Sequence, residues 1–371
     1  MGAGVAGDTD GLAVLPAAQA RLRAVRPDRN QASAGFFVYG SKISATPNDR
    51  FFAVQGCAQI CAMSDAPQLL IVADDSAPWT DAVMSLASPL RRAVIVAPDA
   101  EIETAAVEVL VGAPPDLTAI IPRCPQLRWV QSTWAGIDAI AHFASEALHI
   151  TPLRGVFGPA MTEYMMGWLL AIERNVISRA SHTQWKPSLE PRMTGKRLGI
   201  MGTGDIGTAI ALAARSFGVE VFGLNSDGRA VEGFNICCAS ADRLVFAEGL
   251  DYLVSVLPQT SQTDNLIDHE LLMRLNPGAI VINAGRGNAV VEADLIASLN
   301  TGHLRAAVLD VFRVEPLPPN DPLWSTPRVH ITSHTAGPTP DEAVAEVFER
   351  NLKLYLAGEP LTDAVRAGRG Y

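Results

Sequence analysis

Apolar residues recur along the chain in two arrangements, and their alternation predicts the fold class. Leu69-Leu70-Ile71-Val72-Ala73 is a short apolar run closed by Asp74-Asp75, and Ala93-Val94-Ile95-Val96-Ala97 repeats it before Pro98. Such runs, bounded by turn formers, read as strands buried on both faces. Val107 to Val111 and Leu127 to Gln131 follow in the same style, with helical stretches between. A long helical pattern begins after Gly158-Pro159 and is expected to run toward Arg179. A second alternating block covers Arg197 to Met201, Val219 to Leu224, Tyr252 to Leu257, Ala279 to Ala284, Ala306 to Asp310 and Val329 to Thr332. Strands alternating with helices predict parallel sheets with helices on both faces. A last helix, near Pro340 to Leu356, is long enough to cross back to the first block.

One turn in the second block carries chemistry. Leu198-Gly199-Ile200-Met201 leads into Gly202-Thr203-Gly204-Asp205-Ile206-Gly207, and an Ala/Leu-rich helix follows. A strand before this string, a helix after it and a further strand beyond give a G-x-G-x-x-G motif its meaning. Gly202 permits the tight turn, Gly204 lets backbone approach a pyrophosphate, and Gly207 lets helix and strand pack closely. Free N–H groups near Asp205 and Ile206 would bind the pyrophosphate oxygens. At the end of the next strand, where an acidic residue normally accepts the ribose hydroxyls, the chain has Asn225-Ser226-Asp227-Gly228-Arg229. Asn225 cannot repel a 2′-phosphate, and Ser226 and Arg229 can bind one, so NADP(H) is expected over NAD(H). The alternative is that Asp227 takes the acidic role and Arg229 is a solvated turn residue.

The expected architecture is α/β, with two doubly wound, Rossmann-like parallel-sheet domains and the active site in the cleft between them. The substrate domain is read as residues 66–180 with 336–371, and the NAD(P)-binding domain as 181–335. Residues 1–65 show weak periodicity and no usable motif, and are read as an N-terminal extension of partial order.

Composition narrows the function. Hydrophobic residues make up 48% of the 371 and charged residues 18%, enough apolar material for two cores. The net charge of −10 and the absence of a dense Lys/Arg run leave a nucleic-acid partner without an electrostatic footprint. The longest apolar run, nine residues from Tyr164 to Ile172, is far below the roughly 20 of a membrane span. Five cysteines, at 57, 61, 124, 237 and 238, suggest neither a disulfide framework nor a zinc site. Cys57 and Cys61 are spaced to share a helix face, but as idle thiols. Arg21, Arg23, Arg26 and Arg29 resemble a transit peptide faintly, and Asp8, Asp10 and Asp28 argue against one. A cytoplasmic protein without a metal is expected.

Four further segments carry a resemblance. They are Gln131-Ser132-Thr133-Trp134-Ala135-Gly136-Ile137-Asp138; Gly155 to Pro159 with Glu163-Tyr164; Asn283-Ala284-Gly285-Arg286-Gly287; and Leu309-Asp310-Val311-Phe312 with Glu315-Pro316-Leu317, ending at Ser333-His334-Thr335-Ala336-Gly337. From Pro67 onward the chain resembles the D-isomer-specific 2-hydroxyacid dehydrogenases, most closely their glyoxylate/hydroxypyruvate reductase branch. That resemblance implies hydride transfer between the nicotinamide and C2 of a small 2-keto or 2-hydroxy acid, in a homodimer.

The residues fit such chemistry. Arg286, flanked by glycines beyond a buried strand, can bind two oxygens as a fork. His334 can give and take a proton near neutral pH, and Glu315 on its far ring nitrogen would fix the tautomer and stabilise the protonated ring. The resemblance assigns these same roles to the three positions. It also implies that backbone N–H groups around Ala135 and Gly136 bind the substrate carboxylate, that Trp134 lines the pocket, that Leu257 and Pro258 lie by the adenosine ribose, and that Asp310 lies near the nicotinamide. Ala284, His334 and Gly337 belong to the expected cofactor surface as well. His142, His149, His182, His269, His303 and His330 receive no role. Two alternatives stay open: a phosphoglycerate, formate or phosphite dehydrogenase on the same frame, or a non-catalytic dinucleotide sensor.

Overall fold

A computed structural model describes residues 68–365, apart from 75, 76 and 91. The N-terminal extension, Cys57, Cys61 and the arginine-rich stretch lie outside the described residues. Among the described residues, twelve strands form two parallel sheets. The first contains β1 (Leu69–Val72), β2 (Ala93–Val96), β3 (Val109–Gly112), β4 (Trp129–Ser132) and β5 (His149–Thr151), in the order β2-β1-β3-β4-β5. The second contains β6 (Arg197–Met201), β7 (Glu220–Asn225), β8 (Ile236–Ala239), β9 (Tyr252–Ser255), β10 (Ala279–Asn283), β11 (Leu304–Leu309) and β12 (Val329–Ile331). Its order is β12-β11-β10-β9-β6-β7-β8. The expected α/β class of doubly wound sheets is therefore the observed one.

The nine helices of the described residues are α1 (Trp79–Leu86), α2 (Pro114–Leu117), α3 (Gly158–Glu173), α4 (Val176–Ala180), α5 (Asp205–Arg215), α6 (Arg243–Ala247), α7 (His269–Leu272), α8 (Glu292–Asn300) and α9 (Asp341–Ala357). None is long and apolar enough to cross a membrane.

Two strands escaped the sequence reading. β5 has three residues and β8 four, and both are edge strands with exposed positions, including Ile236 at 59%. An edge strand needs one neighbour and one covered face, so its apolar signal falls below that of a central strand.

The long helical pattern also ends early. Asn175, at φ 51°, separates α3 from α4. The cause is tertiary: the Arg305 guanidinium, from β11, donates to the carbonyls of Ile172 and Glu173 at 2.6 and 3.3 Å and to the Asn175 side-chain oxygen at 2.9 Å. A distant arginine thus takes the helix's terminal acceptors, as basic side chains do at helix ends. The fully buried Glu173 carboxylate completes the junction, paired with Lys196 at 2.8 Å and Arg305 at 3.1 Å.

Helix α9 packs on the first sheet. Phe348 stacks on the buried Trp129 with centroids 5.4 Å apart, and the buried Asn351 donates to Gln131 at 3.1 Å. Helix α3 packs against α5 of the second sheet, closely enough that a Cβ at Gly158 would lie 3.1 Å from that of Ala209. The chain leaves the first sheet through α3 and returns to it through α9.

Candidate active site

In the second sheet the strand order reverses between β6 and β9, and the glycine turn follows β6 at that point. Ligands of doubly wound sheets bind beyond the carboxyl strand ends at such a switch. Gly202 has φ 101°, and a Cβ on Gly207 would sit 1.9 Å from the Gly202 carbonyl oxygen, so side chains are excluded at both. The first helical N–H to find a backbone acceptor is that of Thr208, on Gly204 O at 2.8 Å. Those of Asp205, Ile206 and Gly207 precede it, free for an anion.

A cavity of about 530 Å³ starts at this turn. All six turn residues line it, with Asn225, Ser226, Arg229, Leu257, Pro258 and Ala284. Ala135 and Gly136, from the loop after β4, form part of the opposing wall, and Arg286 lines it too. The sequence reading missed Ser240, Thr260, Gln262, Thr263, Arg154 and Phe157, which also line it. Thr263 had a signal, a Thr-x-x-Thr spacing after Pro258. Its hydroxyl donates to the Pro258 carbonyl at 2.7 Å and accepts the Thr260 N–H at 2.9 Å. Arg154 and Phe157 come from the other sheet's loops; Phe157 lies in the quoted Gly155 to Pro159 segment, whereas Arg154 had no local signal.

Asn225 is 8% exposed and its side chain is fully engaged. The amide donates to the Thr203 hydroxyl at 3.1 Å and the Arg229 carbonyl at 2.9 Å, while its oxygen accepts the Gly228 N–H at 2.7 Å. It ties the glycine turn to the loop that carries Arg229. Asp227 does not line the cavity, and its exposed carboxylate pairs with Arg229 at 3.0 Å.

Arg286 bridges the two sheets. Its Nε donates to Asp138 Oδ2 at 2.8 Å, and an Nη donates to the Gly285 carbonyl at 2.8 Å. The other Nη lies where a side chain on residue 136 would begin, 1.4 Å from an ideal Cβ, so only glycine leaves room for the guanidinium. Asp138 holds one edge of the fork, and the remaining N–H groups can meet a carboxylate or carbonyl oxygen.

His334 and Glu315 form a pair beside this arrangement. The imidazole Nδ1 lies 2.8 Å from Glu315 Oε2, and the Phe312 N–H fixes the other carboxylate oxygen at 2.9 Å. A Cβ on Gly287, next to Arg286, would meet the Phe312 carbonyl carbon at 1.9 Å, which places the arginine loop against the segment that holds Glu315. Through Nδ1 the carboxylate leaves Nε2 for exchange of a proton with a substrate.

Trp134, Asp310, Glu315, His334 and Gly337 do not line the cavity. Trp134 is 45% exposed on the loop after β4. Gly337 lies against Met161 and Phe157 at the start of α3. Asp310 is 1% exposed, with its carboxylate turned to Thr332, Thr335 and Ala336. Among the described residues no three His, Cys, Asp or Glu side chains group as metal ligands.

A parallel sheet with the glycine turn at its switch point, facing an arginine fork from the same cavity, defines a dinucleotide-dependent oxidoreductase. The chain belongs to the D-isomer specific 2-hydroxyacid dehydrogenase family, whose NAD binding domain matches residues 166–336. Glyoxylate/hydroxypyruvate reductase A of Yersinia enterocolitica is 32% identical over 260 residues, covering 66% of this chain and 82% of that protein. A D-isomer specific 2-hydroxyacid dehydrogenase family protein from Aeromonas salmonicida has a TM-score of 0.73 at 33% identity, covering 81% of this chain and 99% of that one. The NADPH-dependent glyoxylate/hydroxypyruvate reductase of Sinorhizobium meliloti, solved with NADP and sulfate, has a TM-score of 0.72 at 27% identity, covering 82% and 100%. The resemblance read from the motifs is thus confirmed at the level of family and branch.

Proposed function

We propose that this protein reduces a small 2-keto acid of the glyoxylate/hydroxypyruvate type to the D-2-hydroxy acid with NADPH. The observation that carries the reading is that the dinucleotide turn and the Arg286 fork line one cavity. The pyrophosphate would lie on the free N–H groups of Asp205 and Ile206. Arg286, with the backbone around Ala135 and Gly136, would hold the substrate carboxylate, and Trp134 would limit bulk at C3. The bound nicotinamide supplies hydride to C2. His334, oriented by Glu315, would protonate the oxygen. Asp310, Ala284 and Gly337 would shape the nicotinamide end, and Leu257 and Pro258 the ribose end. The Yersinia relative is named a glyoxylate/hydroxypyruvate reductase, and the Sinorhizobium one an NADPH-dependent glyoxylate/hydroxypyruvate reductase.

NADP(H) over NAD(H) is supported by the loop after β7. Asn225 spends its polar atoms within the protein, so no acidic acceptor meets the ribose hydroxyls there, while Ser226 and Arg229 line the cavity. Rapid oxidation of NADPH on adding glyoxylate or hydroxypyruvate is the expected result, and slower oxidation of NADH. Arg229→Ala should raise KM for NADPH about tenfold, the weight of one exposed charge-assisted contact to phosphate, and leave KM for NADH nearly unchanged. Equal effects on both cofactors would remove Arg229 from phosphate recognition. No oxidation with any keto acid, from a protein that binds NADPH, would favour a sensing role.

A cytoplasmic homodimer completes the reading. Val176, Ile177, Trp185 and Leu189, in and just after α4, are exposed by 53, 51, 95 and 102%, apolar surface that a second copy would cover. Sedimentation should give a dimer, and the double variant Trp185→Glu, Leu189→Glu a monomer. A variant that stays dimeric would move the interface elsewhere.

A further inference from the structure

His334 sits on a backbone that only a surrounding structure can hold. Its φ is 56°, in the left-handed region that non-glycine residues seldom adopt. Three hydrogen bonds to one residue impose it. The His334 N–H donates to the Asp310 carbonyl at 2.8 Å, and the next two N–H groups, of Thr335 and Ala336, donate to the two oxygens of the Asp310 carboxylate at 2.9 Å each. That carboxylate is 1% exposed, so its own position depends on protein donors. A third donor is the Thr332 hydroxyl, at 2.5 Å from Oδ1. A hydroxyl has one proton, and Thr332 commits it to Asp310. The Tyr164 hydroxyl, 2.7 Å from Thr332 Oγ1, must therefore be the donor in that contact. Burial pushes the Tyr164 phenol up to about 12, which keeps the donor proton in place.

We propose that Tyr164 is a positioning residue: through Thr332 and Asp310 its hydroxyl holds the left-handed turn that presents His334. The inference rests on the reading of His334 as proton donor, and it explains why a helix of the interface between the sheets takes part in that step. Tyr164 lies on α3, which packs on the helix behind the glycine turn. One turn further on, Trp168 meets the Tyr164 ring edge-on at 6.4 Å and packs on His330 of β12 at 5.0 Å. The helix therefore fixes both the strand that ends three residues before His334 and the hydroxyl relay beneath the turn. Without the phenol proton, Thr332 keeps an unmatched lone pair and can rotate away from Asp310, and the turn loses its third support.

The test compares Tyr164→Phe, Thr332→Val and Thr332→Ser with the unaltered protein. For glyoxylate reduction, kcat should fall roughly five- to tenfold in the first two, the weight of one neutral hydrogen bond. KM for NADPH should stay put, the melting midpoint should fall by only a few degrees, about the cost of one buried hydrogen bond, and the deuterium isotope effect with NADPH labelled at the transferred hydrogen should rise. Thr332→Ser, which keeps the hydroxyl, should behave as the parent. The double variant Tyr164→Phe, Thr332→Val should be no slower than the slower single, because both cut one chain. A second readout needs no turnover: with 13C-labelled histidine, the His334 resonance, identified by its loss in His334→Asn, should shift in Tyr164→Phe. Unchanged kcat and an unmoved resonance overturn the proposal, as does a fall in kcat matched by lost cofactor binding or by unfolding at the assay temperature. If the parent reduces no keto acid but the resonance still shifts, the functional reading fails and the relay stands.

Discussion

His334→Ala and His334→Asn should each lower kcat for keto-acid reduction by roughly 10²–10⁴-fold, the usual weight of a positioned general acid. The pair matters because of the backbone. Alanine at φ 56° weakens the turn itself, whereas asparagine accepts the left-handed region and keeps the chain in place. Equal losses in the two would assign the effect to the missing imidazole. NADPH affinity, read by fluorescence titration, should hardly change, since the turn at Gly202 to Gly207 is untouched. Glu315→Gln should fall in the same direction by less: the amide can still meet Nδ1 but carries no charge to stabilise a protonated ring. A near-normal rate in His334→Asn would remove His334 from the mechanism.

Arg286→Gln should lower kcat/KM by about 10²–10³-fold, corresponding to about 3–4 kcal/mol for charged hydrogen bonds lost to a carboxylate. The loss should appear in KM for the keto acid as well as in kcat, because the same fork binds and orients. Arg286→Lys tests geometry against charge. An ammonium keeps the charge but cannot reach Asp138 through Nε while offering a planar edge to substrate, so it should recover only part of the loss. Gly136→Ala approaches the same site from the other wall. Its new methyl would overlap the guanidinium, so the variant should mimic Arg286→Gln with the arginine still present. Steady-state kinetics with glyoxylate check all three, and a Gly136→Ala enzyme of normal KM would show that the arginine has another place to bind substrate.

The candidate site was legible where it depends on residue type and local spacing. Gly202, Gly204 and Gly207 follow a buried strand and open a helix, and the geometry that makes them necessary is local, set within one turn of chain. Arg286 between two glycines and His334 before Thr335-Ala336-Gly337 stand out for the same reason. Central strands such as β6 and β10 were legible because burial on both faces demands continuous apolar runs. The edge strands β5 and β8 were not, because their pairing comes from β4 and β7 rather than from their own composition.

Asp138 shows what lay beyond the sequence. It sits in a quoted motif, but its partner is 148 residues away, and only the folding of both sheets brings the carboxylate to Arg286 Nε. Asn225 differs again: its residue type excluded an acidic acceptor, while its task of tying Thr203 to the Arg229 loop depends on three backbone directions that no pattern encodes. The end of α3 before Asn175 was decided by Arg305, and the turn at His334 by a buried carboxylate reached through Thr332 and Tyr164. The amino-acid pattern alone was enough for the parallel α/β class and the glycine turn, and it singled out Arg286, Glu315 and His334 as candidates, since periodicity and residue chemistry act over a few positions. Tertiary structure alone decided which groups face one another across the sheets, because those contacts join segments far apart in the chain and their energies exist only once both are folded.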